Sequence, residues 1–195
     1  MIYNGVDHAR YRPGIKSETP LVVFVGRLRY YKSVNIAIHA MPELLRAVPD
    51  LCFSIAGAGE ADASLRELAI RLGVADRVIF HGYLPQAETI TLFQRAHVVV
   101  NTSLCEGWGL TVLEANACGT PVVAADVSGL CDSVLHDKTG MLVPYGDPHA
   151  LAEGVSGLLL NHPRRNQLAQ NAIAWAASFN WDESAQQMLE LLKNQ

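Results

Sequence analysis

The sequence predicts an α/β fold: a single Rossmann-like, doubly wound parallel sheet of about six strands, followed by C-terminal helices. Short apolar runs alternate along the chain with longer segments of helical periodicity. Several of these runs show no polar alternation, which is typical of parallel strands covered on both faces. The 195 residues contain no internal repeat and no long linker, so they fit one large domain.

The predicted elements follow from this alternation. The six apolar runs, taken as strands, are residues 21–26, 51–57, 77–82, 97–101, 121–126 and 140–144. The intervening segments with helical spacing are Val34–Val48, Ala61–Leu72, Gln86–Arg95 and Leu110–Cys118. After the sixth strand only helical patterns follow, at Pro148–Leu160, Pro163–Phe179 and Trp181–Asn194. In the first helix Ala37, Met41 and Leu44 share one stripe, as expected for a helix packed on a sheet.

Composition describes an ordinary soluble protein. Half of the residues are hydrophobic, 17% are charged and the formal net charge is −4, which disfavours a general nucleic-acid binder. No stretch approaches the roughly 18 apolar residues of a membrane span, and residues 1–14 lack the apolar core of a signal peptide. A cytoplasmic location is therefore expected. The cysteines show no CxxC spacing and are expected to be reduced thiols in or near the core, at Cys52, Cys105, Cys118 and Cys131.

The loops that follow the strands are the expected ligand site, because open α/β sheets bind ligands beyond the carboxyl ends of their strands. In the loop "NTSLCEGWG", Gly107, Trp108 and Gly109 open a helix at about Leu110. The first N–H groups of a helix have no internal partner, and its dipole is positive at this end. This turn predicts a cradle for a phosphate or for sugar hydroxyls. A tight turn without a ligand is the alternative.

Two glutamates flank this turn, Glu106 and Glu114. A fully helical stretch would separate their backbones by roughly 12 Å, whereas the carboxyl pair of a glycosidase is roughly 5–9.5 Å apart. The spacing therefore favours separate roles. Glu114 has the acceptor capacity to bind the vicinal hydroxyls of a ribose, and Glu106 could reach a second hydroxylated group. The alternative for Glu114 is a helix residue that faces solvent.

Positive charge follows the first strand, at Arg27, Arg29 and Lys32 in "GRLRYYK". Arg offers a planar fork for phosphate oxygens and Lys a mobile point charge, although solvated surface is the commoner role of each. Other ligand classes are poorly supported. Gly57-Ala58-Gly59 lacks the third glycine of the dinucleotide fingerprint. The absence of DxD, HExxH and GxSxG patterns disfavours a divalent metal and a serine hydrolase.

A set of motifs in one order and spacing resembles the C-terminal domain of family-four retaining glycosyltransferases, which have the two-domain GT-B fold. The motifs are "VGRLRYYKS", "FSIAGAGE", "RVIFHGYLPQAE", "SLCEGWGLTVLEANACGTPVVAADVSGLCDSV" and "KTGMLVPYGDPHALAEGV". The match runs from about Ile2 to the end. Residues 1–19, with "IYNGVD…YRP", resemble the segment between the two domains, and residues 20–195 resemble the donor-binding domain. Ser128-Gly129 stands where the family often has a Gly-Gly pair.

The resemblance implies roles for particular residues. The donor would be a UDP- or GDP-linked sugar, bound without metal or further cofactor. Arg27 and Lys32 would hold the diphosphate and stabilise it as a leaving group, and Glu106, the first glutamate of the E-x7-E motif, would face the donor sugar. Glu114 would take the ribose hydroxyls, and the loop at Gly82–Leu84 would contact the base. The implied donor-binding set is Gly26, Gly57, Gly82, Tyr83, Leu84, Gly107, Trp108, Gly109, Leu110, Thr111 and Glu114.

The same resemblance implies an acceptor-binding N-terminal domain that is absent from these residues. Catalysis in GT-B enzymes happens between the domains, so the chain is expected to bind donor and to be inactive alone. Its expected partners are the donor and the missing half, through which peripheral membrane contact could occur. Two alternatives remain: one subunit of a split transferase, or a non-catalytic nucleotide- or carbohydrate-binding module.

Overall fold

A computed structural model describes residues 2–193 and contains one six-stranded parallel sheet with the strand order β3-β2-β1-β4-β5-β6. The strands are β1 (Leu21–Val25), β2 (Cys52–Ala56), β3 (Val78–Gly82), β4 (Val98–Asn101), β5 (Val122–Ala125) and β6 (Gly140–Val143). This order is the doubly wound one, in which the chain reverses direction across the sheet between β1 and β4. The predicted fold class is confirmed, and each strand lies within its predicted range.

Eight α-helices surround the sheet in the described residues. They are α1 (Val34–Ala47), α2 (Asp62–Arg71), α3 (Gln86–Arg95), α4 (Leu110–Ala117), α5 (Leu130–Ser133), α6 (Pro148–Leu160), α7 (His162–Ala177) and α8 (Trp181–Lys193). Seven of them match predicted segments. The prediction for the last one extends to Asn194, which lies outside the described residues. Sequence reasoning missed α5 and the 3₁₀ turns Tyr30–Lys32 and Ala75–Arg77, because three or four residues are too short to show a period.

The central strands are buried on both faces, as the missing alternation predicted. Every residue of β4 and β5 is buried. One core layer lies between the sheet and α1, α2 and α6, and includes Phe53, Met41 and Leu151. The other layer lies against α3, α4, α5 and α7 and includes Phe93. Tyr11, from the segment before β1, also belongs to this second layer.

The four cysteines are free, as expected, but only some of them lie where the sequence suggested. Cys118 is buried and Cys52 is partly buried, whereas Cys105 and Cys131 are exposed. The expectation of a core or near-core position is therefore wrong for the latter two, which occupy the loop after β4 and the short helix α5. No helix between residues 2 and 193 is both long and apolar enough to cross a membrane.

Candidate functional site

The ends of the first three strands bring three glycines side by side. The N–H of Gly26 donates to the carbonyl of Ala56 at 3.0 Å, and that of Gly57 donates to the carbonyl of Gly82 at 2.7 Å. Gly57 has φ +147°, and a Cβ there would overlap the carbonyl oxygen of Gly26. Only glycine tolerates both the conformation and this close approach. The backbone of these three glycines therefore forms a surface without side chains, the floor of the site, at the carboxyl edge of the sheet.

A cavity of about 300 Å³ stands on this floor. It is lined by Val25, Gly26, Arg27, Ala56, Gly57, Ala58, Tyr83, Leu84 and Thr89. The structure thus brings together five of the predicted site residues, with Gly82 directly beside them in the chain. Tyr83 is 81% exposed, so its ring is free to cover a ligand. The apolar lining and the size suit a small planar group. Thr89, from α3, is a lining residue that sequence reasoning missed.

Lys32 and Glu106 meet at the point where the strand order reverses. Lys32 follows β1 and Glu106 follows β4, which are neighbours in the sheet. The Lys32 Nζ lies 2.5 Å from Glu106 Oε1, with only 15% and 14% of the two side chains exposed. The Ser103 hydroxyl also donates to Glu106 Oε1, at 2.7 Å. A charge with so little water around it needs such partners. Ser103 was not predicted, although it lies in the same loop.

Tyr31 contacts two of the predicted cations, and it connects the loop after β1 to the loop after β4. Its hydroxyl accepts from Arg27 at 3.5 Å, and its ring centre lies 5.1 Å from the Lys32 ammonium. The Tyr31 carbonyl accepts from the N–H of Leu104 at 2.8 Å, and the Lys32 carbonyl accepts from the Thr102 hydroxyl at 3.1 Å. Arg27 and Lys32 therefore lie on one segment whose position is fixed by these hydrogen bonds. Arg29 is drawn to another partner, Glu60, at 2.7 Å.

The glycine turn leads into α4 as predicted. Gly109 is the N-cap residue with φ +76° and ψ +50°, and no side chain caps the helix. A Cβ at Gly109 would lie 2.8 Å from the Ser133 hydroxyl, so the turn has no room for a larger residue. The N–H groups of Leu110 and Thr111, in the first turn, have no acceptor within the helix. Gly107 has open space around it, which leaves this end of α4 accessible to an anion or a hydroxyl.

The side chain of Trp108 has a different environment from the rest of the turn. Its indole stacks on Tyr3 with ring centres 4.1 Å apart and meets Phe179 edge-on at 5.4 Å. The indole Nε1 is buried without a hydrogen-bond partner among the described residues. The ring is packed against Tyr3 and Phe179. Only the backbone of Trp108 therefore remains for its predicted role in donor binding.

Glu114 is a partly buried residue of α4, one turn inside the helix. Burial raises the pKa of its carboxyl, and the Tyr11 hydroxyl lowers it in part. The alternative of a solvent-facing glutamate is therefore wrong. Tyr11 is itself 6% exposed, and burial raises its pKa to about 12. Sequence reasoning placed Tyr11 in the linker-like segment and gave it no role, since nothing in the local pattern indicates a contact with α4.

The side chains of the described residues also show whether they form a group that could hold a metal ion. Between residues 2 and 193 no group of three or more His, Cys, Asp or Glu side chains is placed to hold a metal ion. His97, which precedes β4, accepts the N–H of Leu21 through Nδ1 at 3.1 Å. Burial lowers the pKa of His97 to about 4, so this imidazole is a neutral structural acceptor at the start of β4.

Solved structures share this architecture over most or all of the chain. The Anabaena protein HepE, in complex with UDP-glucose, superposes with a TM-score of 0.91 at 28% identity, covering 100% of this chain and 57% of that one. The C-terminal domain of a glycosyl transferase group 1 family protein (LpcC) from Francisella tularensis has a TM-score of 0.80 at 23% identity, covering 89% of this chain and 97% of that one. The latter likeness concerns the fold alone.

Sequence relatives are longer than this chain. The D-inositol 3-phosphate glycosyltransferase of Corynebacterium urealyticum is 35% identical over 195 residues, which cover 96% of this chain and 46% of the relative. That of Xylanimonas cellulosilytica is 38% identical, with 93% and 44% covered. The chain thus spans about half the length of these relatives. The model of the family "Glycosyl transferases group 1" matches residues 6–175. The chain belongs to this family of glycosyltransferases, as the resemblance of its motifs to a GT-B C-terminal domain indicated.

Proposed function

We propose that the chain is the donor-binding half of a retaining glycosyltransferase that transfers a sugar from a nucleotide-diphosphate sugar. The observation that carries this proposal is the arrangement at the strand-order reversal. The glycine-floored cavity, the Lys32–Glu106 pair and the start of α4 follow neighbouring strands at one edge of the sheet. Such an edge is where doubly wound sheets bind nucleotides.

Each part has a chemical role in this proposal. The cavity beside Tyr83 takes the base, and Glu114 accepts from the ribose hydroxyls. Arg27, Lys32 and the first N–H groups of α4 face the diphosphate, whose negative charge increases as the bond to the sugar breaks. Glu106 orients Lys32 through their contact at 2.5 Å and has a second oxygen for a hydroxyl of the donor sugar. The bond between the sugar carbon and the diphosphate oxygen then breaks, the acceptor oxygen bonds to that carbon on the same face, and the acceptor proton passes to the departing diphosphate oxygen.

The acceptor is expected to reach this site from the other half of the enzyme. The chain covers 46% of the relative from Corynebacterium urealyticum, so the residues that bind an acceptor there have ample length outside the matched region. In the proposal the chain alone binds donor and transfers sugar poorly, because closure of a second domain positions the acceptor and excludes water. UDP is the favoured nucleotide, since HepE is solved with UDP and with UDP-glucose.

Calorimetric titration tests the proposal with the chain as it stands. UDP, GDP, ADP and their common sugar conjugates are titrated without metal and then with magnesium. We expect micromolar binding of one nucleotide, with UDP first among the candidates, and the same affinity in both conditions. Failure of all of them to bind would refute the proposed function of the chain.

Glu114→Ala shows whether the bound nucleotide occupies this site. Loss of a charged acceptor costs roughly 1.5–3 kcal/mol, which corresponds to a loss of affinity of about 10-fold to 150-fold. Glu67→Ala is the matched control, because Glu67 is an exposed glutamate on α2, against the other core layer. It removes the same charge and should leave affinity unchanged. Equal affinities of the two variants, with equal melting temperatures, would exclude the ribose role of Glu114.

A further inference from the structure

We propose that Tyr145, in the loop after β6, is a positioning residue: its hydroxyl holds the strained backbone of Ser33 and thereby keeps Lys32 directed at the donor diphosphate. This role rests on the proposed function of Lys32 and adds to it a residue that follows the last strand of the sheet. Three observations support it: the conformation of Ser33, the contacts of its side chain, and the way in which the Tyr145 loop is fixed.

Ser33 has a backbone conformation that residues other than glycine rarely adopt. It lies between Lys32 and the first residue of α1, with φ +51° and ψ +36°. Between residues 2 and 193 the only other non-glycine residue with a positive φ is Asp137, and aspartate visits this region more readily than serine. A side chain strains the backbone there, and the conformation persists only where the surroundings hold it. Ser33 therefore needs contacts that fix it.

The strain at Ser33 acts on the turn that carries Lys32. On the other side of Ser33, α1 is held in the core layer by buried residues such as Ile38, so this helix cannot follow a change at Ser33. The turn Tyr30–Lys32 contains no buried residue. A relaxed Ser33 backbone would therefore rotate this turn and move the Lys32 ammonium away from Glu106, which it contacts at 2.5 Å.

The Tyr145 hydroxyl is the nearest hydrogen-bond partner of the Ser33 side chain. The two hydroxyl oxygens lie 3.0 Å apart, whereas the Ser33 hydroxyl is 3.4 Å from the carbonyl oxygens of Tyr30 and Tyr31. The bonds from the loop after β4 end at the carbonyls of Tyr31 and Lys32 and do not reach Ser33. Ser33 is buried, so a lost partner is not simply replaced by bulk water. Support for its side chain thus depends on Tyr145.

The loop that contains Tyr145 is fixed independently of the turn at Ser33. It begins at the end of β6, which pairs with β5. It ends at Asp147, whose carboxylate accepts from the N–H groups of His149 and Ala150 at 2.9 and 3.0 Å and so caps α6. Because α6 packs in the same core layer as α1, the Tyr145 hydroxyl is presented to Ser33 from a rigid support.

Two substitutions of Ser33 separate the strain from the hydroxyl. Ser33→Ala removes the hydroxyl and keeps the Cβ, so the strained backbone loses its support. Ser33→Gly removes both, and glycine adopts this conformation without strain. In calorimetric titrations we expect Ser33→Ala to bind UDP about fivefold more weakly than wild type, as for the loss of one neutral hydrogen bond. Ser33→Gly should bind UDP as wild type does. Equal affinities of the two variants, weakened or not, would overturn the proposal.

Tyr145→Phe tests the same contact from its other side. It should weaken UDP binding about fivefold in the wild-type background and leave it unchanged in the Ser33→Gly background, where no strain needs support. Tyr30→Phe is the matched control, because it removes the phenol hydroxyl of a largely exposed tyrosine in the same turn. It should leave UDP affinity unchanged. An equal loss from Tyr145→Phe in both backgrounds would show that Tyr145 does not act through Ser33 and would overturn its positioning role.

Comparison of ligands shows whether the effect passes through Lys32. Uridine has no phosphate, so its affinity, measured by ligand-observed NMR, should be equal in wild type, Ser33→Ala and Tyr145→Phe. UDP-glucose should lose at least as much affinity as UDP, since both contain the diphosphate. A loss as large for uridine as for UDP would place the effect at the base or ribose. A loss confined to UDP-glucose would make Tyr145 a contact of the sugar. Either result would overturn the positioning role.

The outcomes separate this role from the proposed function. If wild type binds UDP and Tyr145→Phe binds it equally well, the positioning role is wrong and the donor-binding function stands. If wild type binds none of the nucleotides, the donor-binding function is wrong and the positioning role fails with it.

Discussion

Glu106 and Glu114 stand on either side of one glycine turn and are stabilised in different ways. Glu106 pairs with a full positive charge, Lys32, at 2.5 Å, and also accepts from the Ser103 hydroxyl. Glu114 has a neutral partner, Tyr11, and its pKa is raised by burial. The difference shows that the motif contains two carboxylates with separate electrostatic settings. One is paired with a cation and a hydroxyl, and the other has a carboxyl whose pKa is raised by burial.

The variant expected to change the free energy of unfolding most is Lys32→Met, which roughly keeps the length of the side chain and removes its charge. Glu106 would be left mostly buried without its cation, and breaking such a pair costs about 3 kcal/mol in the free energy of unfolding. Glu114→Gln, at the other glutamate, removes no cation and should change the free energy of unfolding near neutral pH by less than about 1 kcal/mol. Urea denaturation of both variants measures the difference.

The double variant Lys32→Met/Glu106→Gln is the control for Lys32. With both charges gone, no buried carboxylate is left alone, so most of the lost stability should return. If Lys32→Met unfolds no more easily than Glu114→Gln, the Lys32–Glu106 contact is not a stabilising pair. The contrast between the two glutamates would then be wrong, because Glu106 would gain no stability from its cation.

A smaller effect is expected from Ser103→Ala. The Ser103 hydroxyl has one proton and two acceptors within reach, Glu106 Oε1 at 2.7 Å and Asn101 Oδ1 at 2.8 Å. A bond to the charged acceptor contributes roughly 1.5–3 kcal/mol. Lys32 still compensates Glu106 in this variant, so we expect a loss near 1.5 kcal/mol by urea denaturation. Ser156→Ala is the matched control, because the Ser156 hydroxyl donates to the Ala152 carbonyl within α6. Equal losses in the two variants would show that Glu106 depends on Lys32 alone.

Most of the architecture could be predicted because the burial of a strand or helix is visible in the pattern of apolar residues along that segment. Val98–Asn101 shows no polar alternation, and the strand there is buried along its whole length. The loop glycines and the cations after β1 are likewise visible in the sequence, since ligand approach and phosphate charge call for those residue types. The glycine turn and the start of α4 at Leu110 were predicted from the same local signals.

The contacts within the site could not be predicted in the same way. Lys32 and Glu106 are 74 positions apart, and they meet only because β1 and β4 are neighbours in the sheet. The sequence suggested diphosphate and sugar as their partners and did not indicate that they would bond each other. Tyr11 lies in a segment that reads as a linker, and its burial against α4 depends on packing from several elements. Local periodicity contains no record of such pairings.

The smallest expected effect is the pH dependence that Glu114 gives to stability. Its folded pKa is raised above the unfolded value of 4.5, so its stabilising contribution is complete below the unfolded pKa and is lost as the pH rises through the folded pKa. Glu114→Gln lacks this term. The free energy of unfolding of wild type minus that of Glu114→Gln should therefore decrease as the pH rises from below 4.5 through the folded pKa. His97, whose pKa is lowered to about 4, has the opposite dependence, but it is present in both proteins and cancels. A difference that increases with pH would mean that the folded protein favours the charged carboxylate of Glu114, and the contrast between the two glutamates would disappear.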